Sequence, residues 1–219
     1  PLNVSTTAYI IQRMAQLVSL FTVIGLLFYV HGRKALPDHS RKGWAFIVLG
    51  MGASGLLALL SKESGILLPF YALAIEKSVF AAKPIPRRQQ MVLLFLLCAP
   101  ILALISYIGM NWSAFQAGFD LRPFTMAERL LTQGVVLTDY LRQIVMPRLS
   151  GLGLFHDDFP VSRGLFEPVG TAASFAAISV MLFFAIRWRK TRPLISLGIL
   201  WFFLGHSLEA GPLALELYF

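Results

Sequence analysis

The sequence predicts an all-α polytopic membrane protein with about six transmembrane helices and one amphipathic helix outside the membrane. Of its 219 residues, 57% are hydrophobic and only 14% are charged, whereas a soluble domain carries about 25% charged residues. Apolar runs of nearly membrane-spanning length recur along the whole chain. The basic residues lie in short clusters between these runs, which is the topogenic pattern of membrane proteins.

This distribution of charge also argues against a nucleic-acid partner, although the formal net charge is +8. A nucleic-acid surface needs its cations on one continuous face, whereas these lie at the ends of apolar segments. The single cysteine, Cys98, lies inside an apolar run and has no second cysteine with which to form an intramolecular disulfide.

Six apolar segments form the predicted spans of a single transmembrane domain, residues 1–219, which we interpret as an internal piece of a longer protein. They cover about 15–30, 44–60, 64–80, 91–109, 168–186 and 194–208.

Three basic connections fix the predicted orientation of these spans. The stretches "HGRKALPDHSRKG", "KSVFAAKPIPRRQQ" and "RWRKTRP" hold twelve of the nineteen Lys and Arg residues. Cytoplasmic loops carry such an excess, so all three are predicted on the cytoplasmic side. Residues 44–60 and 64–80 then form a hairpin, and its turn "SKESG" faces outward with Lys62 and Glu63.

The connection 110–167 is predicted to be a long external loop that contains an amphipathic helix over about 126–146. Thr125 precedes Glu128 by three residues, as in a capping box, and Pro147 ends the segment. Apolar and polar residues lie broadly on opposite sides of this helix, so we expect it on the membrane surface or packed over the spans.

Two polar pairs at the predicted outer face are candidate phosphate-binding residues. Lys62 is a compact cation suited to a phosphate, and Glu63 can hold it in place or act as a base. Arg13, beside Gln12 at the outer end of the first span, can bind a phosphate or sugar hydroxyls bidentately. A solvated turn at residues 61–64 and an arginine that snorkels to water are the alternatives.

Two further clusters lie on the same predicted face. The stretch "HDDFPVSR" contains His156, Asp157, Asp158 and Arg163. Three interpretations stay open for it: a divalent metal site, the source of a general base, or an ordinary external loop. His206 and Glu209, three residues apart, share a face if the last helix continues past His206. No complete set of metal ligands at a recognisable spacing is present in the sequence.

Four stretches resemble a known family: "TAYIIQRMAQLVSLFTVIGLLFYVHGR", "LLALLSKESGILLP", "YLRQIVMPRLSGLGLFHDDFPVSRGLFEP" and "HSLEAGPLALELYF". Together they are similar to bacterial membrane proteins with tetratricopeptide repeats, relatives of the transmembrane-and-TPR O-mannosyltransferases. That family looks like the GT-C class of glycosyltransferases.

The resemblance implies an integral enzyme of the bacterial inner membrane whose active face is extracytoplasmic. It implies a polyprenyl-phosphate sugar donor, a protein or glycan acceptor, and a divalent metal contacted by an acidic residue. That acidic residue is expected before Pro1, so no catalytic residue is named. The Gln12–Arg13 pair, the Lys62–Glu63 pair and the loop from His156 to Arg163 are implied to lie near the donor pocket.

Two other functions fit the same sequence. A ligase or polymerase of lipid-linked glycans would use the same outer face, with His206 and arginines as its key residues. A non-enzymatic membrane scaffold for a TPR region is the third possibility, although one span would suffice for an anchor.

Overall fold

The computed structural model describes residues 13–120, 122–147 and 160–211, and within these ranges the regular structure is helical. The helices are α1 Arg13–Ala35, α2 Ser40–Ser61, α3 Leu68–Ser78, α4 Arg87–Met110, α5 Trp112–Ala117, α6 Met126–Val145, α7 Gly170–Trp188 and α8 Pro193–His206. A π-helical stretch, Phe46–Met51, lies inside α2, and a 3-10 helix, Glu63–Leu67, precedes α3.

Four of the described helices are long and apolar enough to cross a membrane: α1, α2, α4 and α7. They correspond to the first, second, fourth and fifth predicted spans, so the predicted all-helical, membrane-type fold is confirmed at this level. The predicted spans 64–80 and 194–208 form shorter helices, α3 with its preceding 3-10 helix and α8. The count of six spans stays a prediction.

The chain divides into two compact units, Pro1–Ile105 and Ser106–Phe219. In the first unit α1 and α2 run antiparallel at very short range. A Cβ atom added to Gly32 would lie 2.6 Å from the Gly43 carbonyl oxygen, and one added to Gly25 would lie 3.2 Å from the Ser54 Cβ. Small residues let apolar helices approach this closely, and the gain is van der Waals contact.

The hairpin predicted at residues 61–65 is present within this first unit. Lys62 adopts an extended backbone (φ −160°, ψ 149°), which ends α2. The 3-10 helix then folds back onto α2, so that a Cβ added to Gly65 would overlap the carbonyl carbon of Ala58. Only glycine fits this contact with a neighbouring backbone.

A buried ion pair between Arg33 and Glu76 joins helix α3 to α1. The Arg33 guanidinium donates from Nε to Glu76 Oε2 at 2.9 Å and from Nη2 to Glu76 Oε1 at 3.0 Å. The Tyr29 hydroxyl donates to Glu76 Oε2 at 2.7 Å, and Arg33 Nη2 also donates to the Lys83 carbonyl at 2.7 Å. The Phe80 ring lies 4.7 Å from the guanidinium carbon.

In the second unit α7 and α8 form an antiparallel hairpin around the basic turn that ends at Arg192. The Ser196 hydroxyl donates to the Ala185 carbonyl at 2.7 Å across this hairpin. Helix α6 packs on α7 where Gly134 meets Phe175; an added Cβ would lie 2.7 Å from the ring. The amphipathic helix predicted at 126–146 is therefore present as α6, and it ends at Val145, before Pro147.

Replacing Gly65 with alanine should destabilise the hairpin, because the added methyl group overlaps the backbone of Ala58. Overpacking of this kind lowers the free energy of unfolding by about 1–3 kcal/mol. We expect a lower thermal unfolding midpoint in detergent for Gly65→Ala. The matched control is Gly55→Ala, where nothing lies within 4 Å of the added Cβ. Equal midpoints for the two variants would contradict the close contact.

Replacing Glu76 with glutamine should lower the free energy of unfolding by about 3–5 kcal/mol, because it leaves the buried Arg33 guanidinium without its counter-charge. The thermal unfolding midpoint of Glu76→Gln should fall well below that of Lys34→Gln, which removes an exposed charge one residue from Arg33. The double variant Arg33→Met with Glu76→Leu should recover much of the loss, since no unpaired charge remains. A single Glu76→Gln variant as stable as the wild type would refute the ionic link.

Candidate functional site

The first candidate site is the turn between α2 and α3, where Lys62 and Glu63 lie. The Lys62 N–H donates to the Ala58 carbonyl at 3.0 Å, and the Lys62 carbonyl accepts from Gly65 N–H at 3.0 Å. Lys62 is half-buried and Glu63 is exposed. The Ser61 hydroxyl donates back to the Leu57 carbonyl at 2.7 Å. The turn thus holds a partly shielded cation on a backbone fixed at both sides.

Arg13 lies at the same end of the first unit as Lys62. Helix α1 extends about 18 Å from Gly25 to Arg13, and α2 extends about 12 Å from Ser54 in the same direction. Because Gly25 and Ser54 are in contact, both cations lie at the end opposite Arg33 and Gly43. The structure therefore places Arg13 and Lys62 at a similar height along the axes of α1 and α2. Gln12 lies outside the described residues.

The second candidate site is the buried side of α6 in the second unit. Arg129, Thr132, Gln133 and Val136, at helical spacing, are buried, and Arg129 is fully so. Several apolar residues of the same helix are exposed, including Leu130, at 41%, and Ile144, at 69%. The structure turns groups that need hydrogen bonds toward the protein. The sequence prediction, on the membrane surface or packed over the spans, did not specify which side is buried.

Three buried hydroxyls join α6 to the segment before α7 and to the first turn of α7. The Thr132 hydroxyl accepts from Ser162 N–H at 2.9 Å and donates to the Glu128 carbonyl at 2.7 Å. The Thr171 hydroxyl donates to the Ser162 hydroxyl at 2.9 Å. This chain of bonds fixes the backbone beside Arg163, whose own side chain is exposed.

The C-terminal end of α8 approaches the same side of α6. Arg129 donates from Nη2 to the carbonyl oxygen of Glu209. The His206 ring lies 5.6 Å from that of Tyr140, and its Nδ1 lies 2.8 Å from the Phe202 carbonyl oxygen. Helix α8 ends at His206 and continues as turns. The backbone carbonyl of Glu209 takes part in this contact, and its side chain is exposed.

The capping box at the start of α6 is formed as predicted. Glu128 Oε2 accepts from Thr125 N–H at 2.8 Å and from the Thr125 hydroxyl at 3.0 Å, and the Thr125 hydroxyl accepts from Glu128 N–H at 3.2 Å. The backbone donor of Thr125 lowers the pKa of Glu128 most, followed by the Thr125 hydroxyl, and the Arg163 guanidinium adds to this effect. The capping box therefore stabilises the ionised form of this carboxylate.

Sequence reasoning missed Arg129 and Arg33 as paired groups. Arg129, Thr132 and Gln133 stand at i, i+3 and i+4, a polar stripe that could have indicated a buried polar face. Tyr29 and Arg33 stand four residues apart on α1 in the same way. In neither case does the sequence say which distant group completes the contact.

The structure holds no candidate metal centre within the described ranges 13–120, 122–147 and 160–211: no group of three or more His, Cys, Asp or Glu residues could bind an ion there. His156, Asp157 and Asp158 lie outside these ranges. The divalent metal that the family resemblance implies stays a prediction.

Comparisons with known proteins leave the family open. No family model, curated protein or solved structure matches this chain. The resemblance to GT-C enzymes with TPR regions therefore stays a prediction based on the four quoted stretches.

Protonation of Glu128 should loosen the first turn of α6. The stability from the capping box is present above the ordinary pKa of the carboxyl, near 4.5, and is lost as the pH falls through the lower pKa of the folded protein. Glu128→Ala should therefore speed amide hydrogen exchange in this turn near neutral pH. The difference from the wild type should shrink as the pH falls well below 4.5, whereas an unchanged difference would refute the linkage. Glu167→Ala, at another exposed carboxylate of the same unit, is the control.

Proposed function

We propose that this chain is the membrane core of a GT-C-type glycosyltransferase. It would move a sugar from a polyprenyl-phosphate donor to a protein or glycan acceptor on the extracytoplasmic side of the bacterial inner membrane. The observation that carries the proposal is the separation of cations in the first unit. Arg13 and Lys62 lie at one end, while Arg33, Lys34, Arg41 and Lys42 lie toward the other.

The proposed orientation follows from that separation. Basic loops are retained on the cytoplasmic side, so the Arg13 and Lys62 end faces outward. The third predicted span supports this hairpin, because the 3-10 helix and α3 together extend about 26 Å along their axes. That length approaches the hydrocarbon thickness of about 30 Å. We include α8 as the last span, so the proposed protein core crosses the membrane six times.

The chemistry of the donor explains why cations are needed at this depth. A polyprenyl chain stays in lipid, so its phosphate lies at the interface. Lys62 supplies a point charge and Arg13 a planar fork of donors, and both stabilise negative charge that develops on the leaving phosphate. Glu63 would hold Lys62 in position. A carboxylate is still required to deprotonate the acceptor hydroxyl.

A lipid-linked glycan ligase or polymerase is the second candidate, and the polar side of α6 favours it. Arg129 is fully buried and donates to the Glu209 carbonyl in the turns that follow α8, and the His206 ring lies 5.6 Å from that of Tyr140 on the same helix. In that enzyme Arg129 would position the end of α8, where the key residue His206 lies. Assays that compare single-sugar donors with oligosaccharide donors separate the two enzymes.

Lys62→Ala and Arg13→Ala in the natural protein should each lower sugar transfer about 100-fold or more, as loss of a group that stabilises the transition state does. Membrane insertion and the thermal unfolding midpoint should not change. Lys62→Arg, which keeps the charge, should retain part of the activity. The matched control is Lys42→Ala, which removes an exposed cation from the opposite end.

Normal transfer by both Lys62→Ala and Arg13→Ala would remove the proposed phosphate contact. If Arg129→Lys abolishes transfer of an oligosaccharide while both of those variants remain active, the ligase is favoured instead.

A further inference from the structure

An open groove of about 570 Å³ lies between the end of α5 and the first turn of α6, within the second unit. Its volume falls in the range of about 300–1,000 Å³ that is typical of small-molecule sites. It is separate from the buried side of α6, since its lining runs from Gln116 to Glu128.

The walls of the groove are fixed by backbone hydrogen bonds. Phe119 N–H donates to the Gln116 carbonyl at 2.9 Å, and Arg122 N–H donates to the Phe119 carbonyl at 2.9 Å. The capping box of Thr125 and Glu128 holds the other wall. A ligand would therefore meet a largely preformed surface, which lowers the entropic cost of binding.

Two aromatic rings contribute to the apolar part of the lining, together with Pro123, Met126 and Ala127. Phe119 and Phe124 are buried, and their ring centroids lie 6.4 Å apart at an angle of 71°. Rings arranged in this way pack mainly against each other, and they present to the groove an apolar edge against which the C–H groups of a sugar can pack.

The polar lining contains donors and acceptors in nearly equal measure. Gln116 can do both, Arg122 donates, and the carboxylates of Asp120 and Glu128 accept. Two carboxylates disfavour a phosphate or another anion, while Arg122 disfavours a cation. The ligand that fits such a mixed surface is neutral and rich in hydroxyl groups, because each hydroxyl both donates and accepts.

We propose that this groove binds a neutral saccharide, with the sugar hydroxyls on Gln116 and Asp120 and its C–H groups against the apolar edge formed by Phe119 and Phe124. The binding itself does not depend on the proposed enzyme. Within that function, and resting on it, the groove would hold a glycan acceptor.

The test is saturation-transfer NMR on the natural protein in nanodiscs, in the absence of sugar-based detergents. The probes are methyl α-D-mannopyranoside, methyl β-D-glucopyranoside and methyl β-D-galactopyranoside, with glycerol 1-phosphate as the anionic comparison. At least one glycoside should give a saturation signal. Asp120→Asn and Gln116→Ala change exposed side chains and should each weaken its binding about tenfold, as loss of a hydrogen bond to a charged or directional partner does.

The control is Glu167→Gln, which alters an exposed carboxylate that does not line the groove and should bind as the wild type does. No signal from any of the three glycosides overturns the proposal, as does a signal that is equal in Asp120→Asn and the wild type. Stronger binding of glycerol 1-phosphate than of every glycoside also overturns it. Glycoside binding by a protein without transferase activity refutes the proposed enzyme alone, whereas transfer without glycoside binding refutes the groove alone.

Discussion

The structure depends on one constraint: helices with apolar outer surfaces must satisfy their polar groups within the protein. Lipid offers no hydrogen bonds, and a buried charge without a partner costs several kcal/mol. In the first unit Arg33 and Glu76 meet this requirement together, with Tyr29 and the Lys83 carbonyl completing the set. In the second unit the hydroxyls of Thr132, Ser162 and Thr171 meet it, beside the contact of Arg129 with Glu209. Each of these contacts joins segments that are distant in sequence, so it also determines how the helices pack.

The same constraint explains why the two ends of the first unit differ. At the end with Arg33 a cation is neutralised by Glu76 and becomes part of the helix packing. At the other end Lys62 lies in a turn whose shape is determined by Gly65 and the backbone of α2. Lys62 is half-buried and Arg13 is exposed, so these cations can meet a ligand at the surface in a way that Arg33 cannot. Lys62 and Arg13 are therefore the candidates for the proposed contact with a lipid phosphate, whereas the Arg33–Glu76 ion pair stabilises the packing of the helices.

Much of the helical structure could be predicted from the sequence because it depends on local patterns. Hydropathy located α1, α2, α4 and α7, and the Thr125–Glu128 spacing located the start of α6. The division of the third predicted span into a 3-10 helix and α3 could not be predicted, since it results from the approach of Gly65 to Ala58. Which side of α6 is buried could not be predicted either, because it depends on the partners of Arg129 and Thr132 in distant segments. Of the candidate site residues, the sequence identified Lys62 and Arg13 by charge and position, while Arg129 and Glu76 were found through their distant partners.

Sidedness is the most direct test of this account. In a Cys98→Ala background, which has no other cysteine, Glu63→Cys and Lys42→Cys place single exposed thiols at opposite ends of the first unit. A membrane-impermeant maleimide added to intact spheroplasts should label the cysteine at position 63, and should label that at position 42 only after permeabilisation. If position 42 is labelled in intact cells while position 63 is protected, the orientation is inverted, and a lipid-linked sugar on the outer face cannot reach Lys62.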